Sequence, residues 1–252
     1  MHLEIFSEGN SLLHKVDPRI KLVTFIPIVF IIATTKDLIT CTLALAVAGI
    51  FVAIAKLNIR KIAERIVMVN LFILLLWLFI PFSYTGHEIA RIGALSISKE
   101  GVYSTTLITF KANAIFIFTI TMLGTSRVFS LAHALLHLKV PVKLVYMFFF
   151  CYRYITLLHE EYERLIRAAL IRGFKPKTNI HTYKTYAYLA GMLIVRSYER
   201  AERIYKAMLC RGFTGKFPIM IHFQLKNLDY MFVFSMMAVI IMLIMSEILL
   251  YT

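Results

Sequence analysis

The 252-residue chain is 60% apolar, has a mean hydropathy of +0.76 and carries a formal charge of +14. A soluble domain does not combine those values, whereas a polytopic membrane protein does, because its cytosolic loops collect Lys and Arg beside apolar spans. A nucleic-acid binder is set aside, since a basic patch leaves the apolar excess unexplained.

The chain starts on a polar segment with Glu4, Glu8 and Asp17 and no small-residue cleavage site, so the first apolar stretch reads as a retained span. Asp17 and Pro18 predict a helix start, with Asp as N-cap and Pro at the first helical position. Apolar runs at 20–35, 38–55, 66–82, 105–123 and 231–250 predict about five transmembrane helices. Lys36 and Asp37 alone part the first two, which therefore form a tight hairpin or a pair that does not cross fully. With a cytosolic N-terminus, the outer segments hold only Lys36, Arg91 and Lys99, and the inner ones hold everything else that is basic outside the membrane. That bias sets the orientation and leaves Thr252 outside. Trp77 and Tyr84, near the outer end of the third span, suit interfacial anchors or ordinary packing. Lys111 and Asn113 are placed near an inner end of the fourth.

From Arg127 to Asp229 the chain carries seventeen basic and six acidic residues. Its period is helical: Val142, Val145, Tyr146, Phe149, Arg153, Leu157 and Leu165 follow steps of three and four after Pro141. A second helix is expected from about Tyr183 to Arg211, with Gly173 and Pro176 breaking the two apart. The chain thus divides into membrane helices over 1–125, a cytosolic helical region over 126–229 and a last membrane helix over 230–252.

One twelve-residue pattern occurs twice in that region, Glu163 to Phe174 and Glu202 to Phe213, identical at seven positions and offset by thirty-nine residues. Each copy ends a helix, in Ile171-Arg172-Gly173-Phe174 and in Cys210-Arg211-Gly212-Phe213. Arg before Gly at a helix end is explained by capping, since a base complements the helix dipole and Gly accepts a left-handed backbone. Capping does not ask for the shared Ala, Leu and Phe. Two copies point to a docking element, with Arg gripping a carboxylate and Phe filling a pocket on a partner that offers two equivalent sockets. Within each copy an acid precedes a base by four residues, Glu163 to Arg167 and Glu202 to Lys206, in the favourable order.

Other groups read as structural. His133 and His137 share a helix face but lack a third ligand, and His2 and His14 read as a solvated tail and a neighbour of the Asp17 cap, so no metal site is expected. Glu160, Glu161, Tyr162 and Glu163 read as a solvated acidic face. Ala187, Ala190 and Gly191 allow close helix crossing, between the two cytosolic helices or against another membrane subunit. Cys41, Cys151 and Cys210 stand apart with no Cys-x-x-Cys pair, which fits a reduced compartment and no disulfide framework. No phosphate loop is present, so the chain should not hydrolyse ATP, and no cofactor or catalytic group is expected.

The stretch from Tyr188 to Phe213, containing Gly191-Met192-Leu193-Ile194-Val195-Arg196-Ser197 and Ala207-Met208-Leu209-Cys210-Arg211-Gly212-Phe213, resembles the transmembrane T component of energy-coupling factor transporters, and more narrowly the cobalt/nickel branch. Leu13-His14-Lys15-Val16-Asp17-Pro18-Arg19 is similar to that family's N-terminal motif. The resemblance implies an all-α membrane protein whose two cytosolic coupling helices dock on a pair of ABC-type ATPases through Arg172 and Arg211, followed by Gly173 and Gly212. It implies a membrane-embedded substrate-binding S component as the other partner, with cobalt or nickel as cargo. Where the family has Ala before each Arg, this chain has Ile171 and Cys210. A T component serving a vitamin, and an independent channel or membrane enzyme, are the competing readings.

Overall fold

The structure is a computed structural model that describes residues 9, 11–83, 88–92, 95–138, 140–215 and 226–251. The fold is all-α apart from one short hairpin: α1 (Leu12–Lys15), α2 (Pro18–Thr34), α3 (Leu38–Ala55), α4 (Ile59–Ser83), β1 (Glu88–Ile92), β2 (Leu95–Ser98), α5 (Lys99–Met122), α6 (Val128–His137), α7 (Val142–Ile171), α8 (Ile180–Cys210) and α9 (Asn227–Tyr251). The chain separates into two compact units, Pro141–Phe223 on one hand and His2–Val140 with Gln224–Thr252 on the other.

In the second unit, helices α3, α4, α5 and α9 are long and apolar enough to cross a membrane. The fifth expected span, α2, forms but stops at seventeen residues, about 25 Å against a hydrocarbon core of about 30 Å. Its start is as the sequence predicts, since Asp17 accepts from the Arg19 N–H at 2.9 Å and Pro18 sits at the first position. Both α4 and α5 begin well before the apolar windows that announced them, because a helix continues through the headgroup region where charged residues are welcome. As a result Lys111 lies midway along α5 and not near an inner end, and its Nζ donates to the Ala33 carbonyl in the last turn of α2 at 2.8 Å.

The core of this unit lies where α3, α5, α2 and α9 converge. Ala48 and Ala114 are fully buried and let the backbones approach, while the Phe51 ring meets Phe118 at 6.0 Å and Phe232 edge-on at 6.4 Å. α4 is attached to α5 by polar rungs: Asn70 and Asn113 exchange amide hydrogen bonds of 3.1 and 3.0 Å, and the Trp77 indole N–H donates to Thr109 Oγ1 at 3.1 Å. Of the two roles read for it, the Thr109 bond gives Trp77 that of a packing residue between α4 and α5. Tyr84 and His2 lie outside the described residues.

Two buried charges hold the starts of the helices together. Lys21 is fully buried and donates to Thr125 Oγ1 at 2.9 Å and Ser126 Oγ at 2.8 Å, just past the end of α5. Asp229, in the first turn of α9, accepts from the Asp17 N–H at 2.9 Å and the Lys226 N–H at 2.8 Å. Asp229, the last acid of the basic segment, is therefore bonded within the membrane unit.

Candidate partner-docking site

The other unit is an antiparallel pair of long helices, α7 and α8, and both copies of the repeat end one of them. Pro141 precedes α7 as expected, and the turn between the helices is built by Asn179, whose side chain caps α8 by accepting from Thr182 N at 2.9 Å and Thr182 Oγ1 at 2.7 Å. Lys177 N closes the turn by donating to Thr182 Oγ1 at 3.1 Å.

The two caps are the same object. In α7, Gly173 N donates to the Leu170 carbonyl at 3.0 Å and Phe174 N to the Ala169 carbonyl at 3.1 Å; in α8, Gly212 N donates to Leu209 at 3.0 Å and Phe213 N to Met208 at 3.1 Å. The glycines are left-handed, at φ +87° and +77°, and a Cβ on either would meet nothing, so backbone conformation alone demands glycine there. Capping is thus real in both copies. It also aims the preceding residue: Arg172 and Arg211 share nearly the same backbone angles, and both side chains are exposed. Ile171 is 87% exposed and Cys210 is exposed as well.

The aromatic residues are not equivalent to the arginines. Phe174 is half-buried against its own hairpin, edge-on to Tyr186 at 5.7 Å and tilted to His181 at 6.5 Å, so its ring locks the turn and does not point freely outward. Phe213 is half-buried too. The expected surface pairs form, Arg167–Glu163 at 3.3 Å and Lys206–Glu202 at 2.8 Å, in solvent where each stabilises its helix by about 0.3–0.5 kcal/mol.

Between the caps the structure corrects the reading of two groups. Glu161 is buried and not part of a solvated face: Arg196 of α8 donates to its Oε1, Arg200 of α8 stands 3.8 Å and Arg164 of α7 3.5 Å from its Oε2. The Arg196 hydrogen bond, reinforced by the charges of Arg196, Arg164 and Arg200, holds the Glu161 carboxyl below the usual carboxylate range against the opposing effect of burial. The signal was present, because Glu161 stands one turn from both Leu157 and Leu165 in the apolar stripe of α7. Ala187, Ala190 and Gly191 are exposed and a Cβ on Gly191 meets nothing, so they do not bring α8 close to α7.

Among the described residues no three His, Cys, Asp or Glu side chains gather as a metal site. His133 and His137 stand edge-on with ring centres 5.3 Å apart, and Ser11 Oγ pairs with His14 Nδ1 at 2.6 Å.

Residues 9–222 match the family model CbiQ, described as cobalt transport protein. The chain belongs to that family. Similar curated proteins include the energy-coupling factor transporter transmembrane protein of Bacillus subtilis strain 168, 29% identical over 224 residues and 82% of each chain. The protein of the same description from Streptococcus equi subsp. equi strain 4047 is 26% identical over 218 residues, covering 82% of this chain and 81% of its own. This CbiQ-family chain is therefore a multi-pass membrane protein of a transport family, and the match takes in both Arg-Gly-Phe caps.

Proposed function

We propose that this chain is the transmembrane coupling subunit of an energy-coupling factor transporter, passing the movement of two cytosolic ABC-type ATPases to a membrane-embedded substrate-binding subunit for cobalt or nickel uptake. One observation carries the reading: two superposable helix caps, each presenting an exposed arginine, stand at the ends of two helices that pack on one another. Arg172 stands beside Tyr188 and Leu189 of α8, and from the Glu161–Arg196 contact the two arginines lie in opposite directions along the pair, about 38 Å apart by helix rise, a spacing suited to two neighbouring sockets and not to one. Arg172 and Arg211 supply the charged grip; Ile171 and Cys210 flank it; Gly173 and Gly212 shape it; Phe174 and Phe213 brace it.

The chain itself does no chemistry in this scheme, and the energy arrives through its partners. Its N-terminus lies on the cytosolic side, the same side as the two caps, as the distribution of Lys and Arg requires. The family description supports cobalt as cargo, whereas the similar proteins carry a description that names no substrate, so a vitamin remains the alternative cargo.

The test is substitution at the caps. Arg172→Glu or Arg211→Glu singly should leave membrane insertion intact and weaken co-purification of the ATPases, and the pair together should abolish cobalt uptake. Normal assembly and uptake in the double variant overturn the proposal. Binding of cobalt(II), nickel(II) or a vitamin to the subunit that co-purifies in the membrane separates the cargoes.

A further inference from the structure

Helices α7 and α8 are each about thirty residues long, yet their mutual packing is sparse. On one side of Glu161 lies an open groove of about 300 Å³, lined by Phe150, Tyr154 and Leu157 of α7 and by Leu193, Ile204 and Met208 of α8. On the other side lies a second, of about 480 Å³, running from Leu165 to Phe174 on α7 and from His181 to Arg196 on α8. Arg196 lines both. Between the two openings a single carboxylate, with three guanidinium groups around it, joins the helices.

Charge makes this point decisive. With Glu161 ionised, Arg196 and Arg200 of α8 are drawn onto α7, and Arg164 joins them from the same helix. Without it, three like charges converge, and Glu160, 3.6 Å from Arg164, sits beside only one of them in the ion pairs of the described residues. An apolar replacement at Glu161 does not relieve that repulsion, and away from the Phe174 contacts the open grooves leave little packing to resist it.

The lever arms set the consequence. From Glu161 to Arg172 is eleven residues of α7, about 16 Å, and from Arg196 to Arg211 is fifteen residues of α8, about 22 Å. A rotation of roughly 10° about the crossing carries the end of the longer arm about 4 Å, more than a guanidinium can shift and still keep its hydrogen bonds to a fixed carboxylate.

We propose that Glu161 is a positioning residue: its carboxylate, shared by Arg196, Arg200 and Arg164, fixes the angle between α7 and α8 and so the separation of the two docking arginines. The inference rests on the docking role proposed above for Arg172 and Arg211. The Glu161 clamp acts through those caps and touches no partner itself.

Two native cysteines make the test direct. Cys151 on α7 and Cys210 at the end of α8 are exposed, and Cys41 is buried, so spin labels can be placed on the full-length chain in lipid nanodiscs without further substitution. Double electron–electron resonance should give one narrow Cys151–Cys210 distance distribution in the parent, a broad or shifted one in Glu161→Gln, and a narrow one again in the exchanged pair Glu161→Arg with Arg196→Glu. A Glu161→Gln distribution that matches the parent overturns the proposal, and so does an exchanged pair that stays broad, because shape and not charge then sets the angle.

In the assembled complex, unlabelled Glu161→Gln should still bring down both ATPases and hydrolyse ATP while cobalt(II) uptake per ATP falls about two- to thirtyfold, the range expected of a residue that transmits coupling. Loss of ATPase co-purification in that variant assigns Glu161 to docking or folding and overturns the positioning role. Failure of the parent chain itself to bring down ATPases refutes the docking reading, an outcome distinct from any seen only in the variant.

Discussion

The membrane unit and the α7–α8 unit are both all-helical, but they hold their helices together by opposite means. The first buries aromatic and small apolar residues at the centre of α3, α5 and α9 and reserves its buried charges among the described residues, Asp17, Lys21 and Asp229, for the helix starts. The second leaves most of its apolar side chains exposed and meets at a buried carboxylate. A body that must keep its shape among lipids is built as a packed core, where interlocking side chains resist any change of angle. The α7–α8 pair, in the coupling role proposed for it, is joined at the Glu161 carboxylate, where an angle can be set and reset.

Four substitutions and one titration sharpen that contrast, beginning with the largest effect. Phe118→Ala, which removes a fully buried α5 ring packed on Phe51 of α3, should destabilise the membrane unit by about 3–5 kcal/mol. Thermal unfolding in detergent measures it, and a shift too small to resolve means the core lies elsewhere. Asp229→Ala leaves the buried Asp17 N–H and the part-buried Lys226 N–H without their acceptor and should cost about 1–3 kcal/mol on the same measurement, with added protease sensitivity near the start of α9.

In the docking unit, Gly212→Ala forces a Cβ into a left-handed backbone without any steric clash. It should cost about 1–2 kcal/mol locally and show as faster hydrogen exchange at Gly212 and Phe213. Acidification acts on Glu161. Because its folded value is depressed, the clamp is fully present above the ordinary glutamate range near about 4.3 and is lost as pH falls through the lower folded value. The Cys151–Cys210 distance should therefore be unchanged from neutral pH to about 5 and broaden only below the ordinary range; broadening at pH 6 contradicts the clamp. Glu163→Ala, which removes a solvated pair with Arg167, should change stability by only a few tenths of a kcal/mol.

Much of this architecture is legible in the residues. The Asp17-Pro18 start, the break at Gly173 and Pro176, the twin caps and the Glu–Arg and Glu–Lys pairs follow from local rules that need only a few neighbouring positions. What escapes is non-local. Glu161 reads as surface because its neighbours Glu160 and Glu163 are, and only the arginines thirty-five and thirty-nine residues further on explain its burial. Asp229 reads as one more cytosolic acid until Asp17, more than two hundred residues earlier, supplies the N–H it accepts. The shortness of α2 is legible as well, since its apolar run at 20–35 stops at Lys36 and Asp37 and the helix ends at Thr34.

In a bilayer of average thickness α2 is about 5 Å short, a mismatch that thinning of the bilayer, snorkelling of flanking residues or a neighbouring helix can absorb. The Lys111 side chain of α5 supplies the last of these, donating to the Ala33 carbonyl in the final turn of α2.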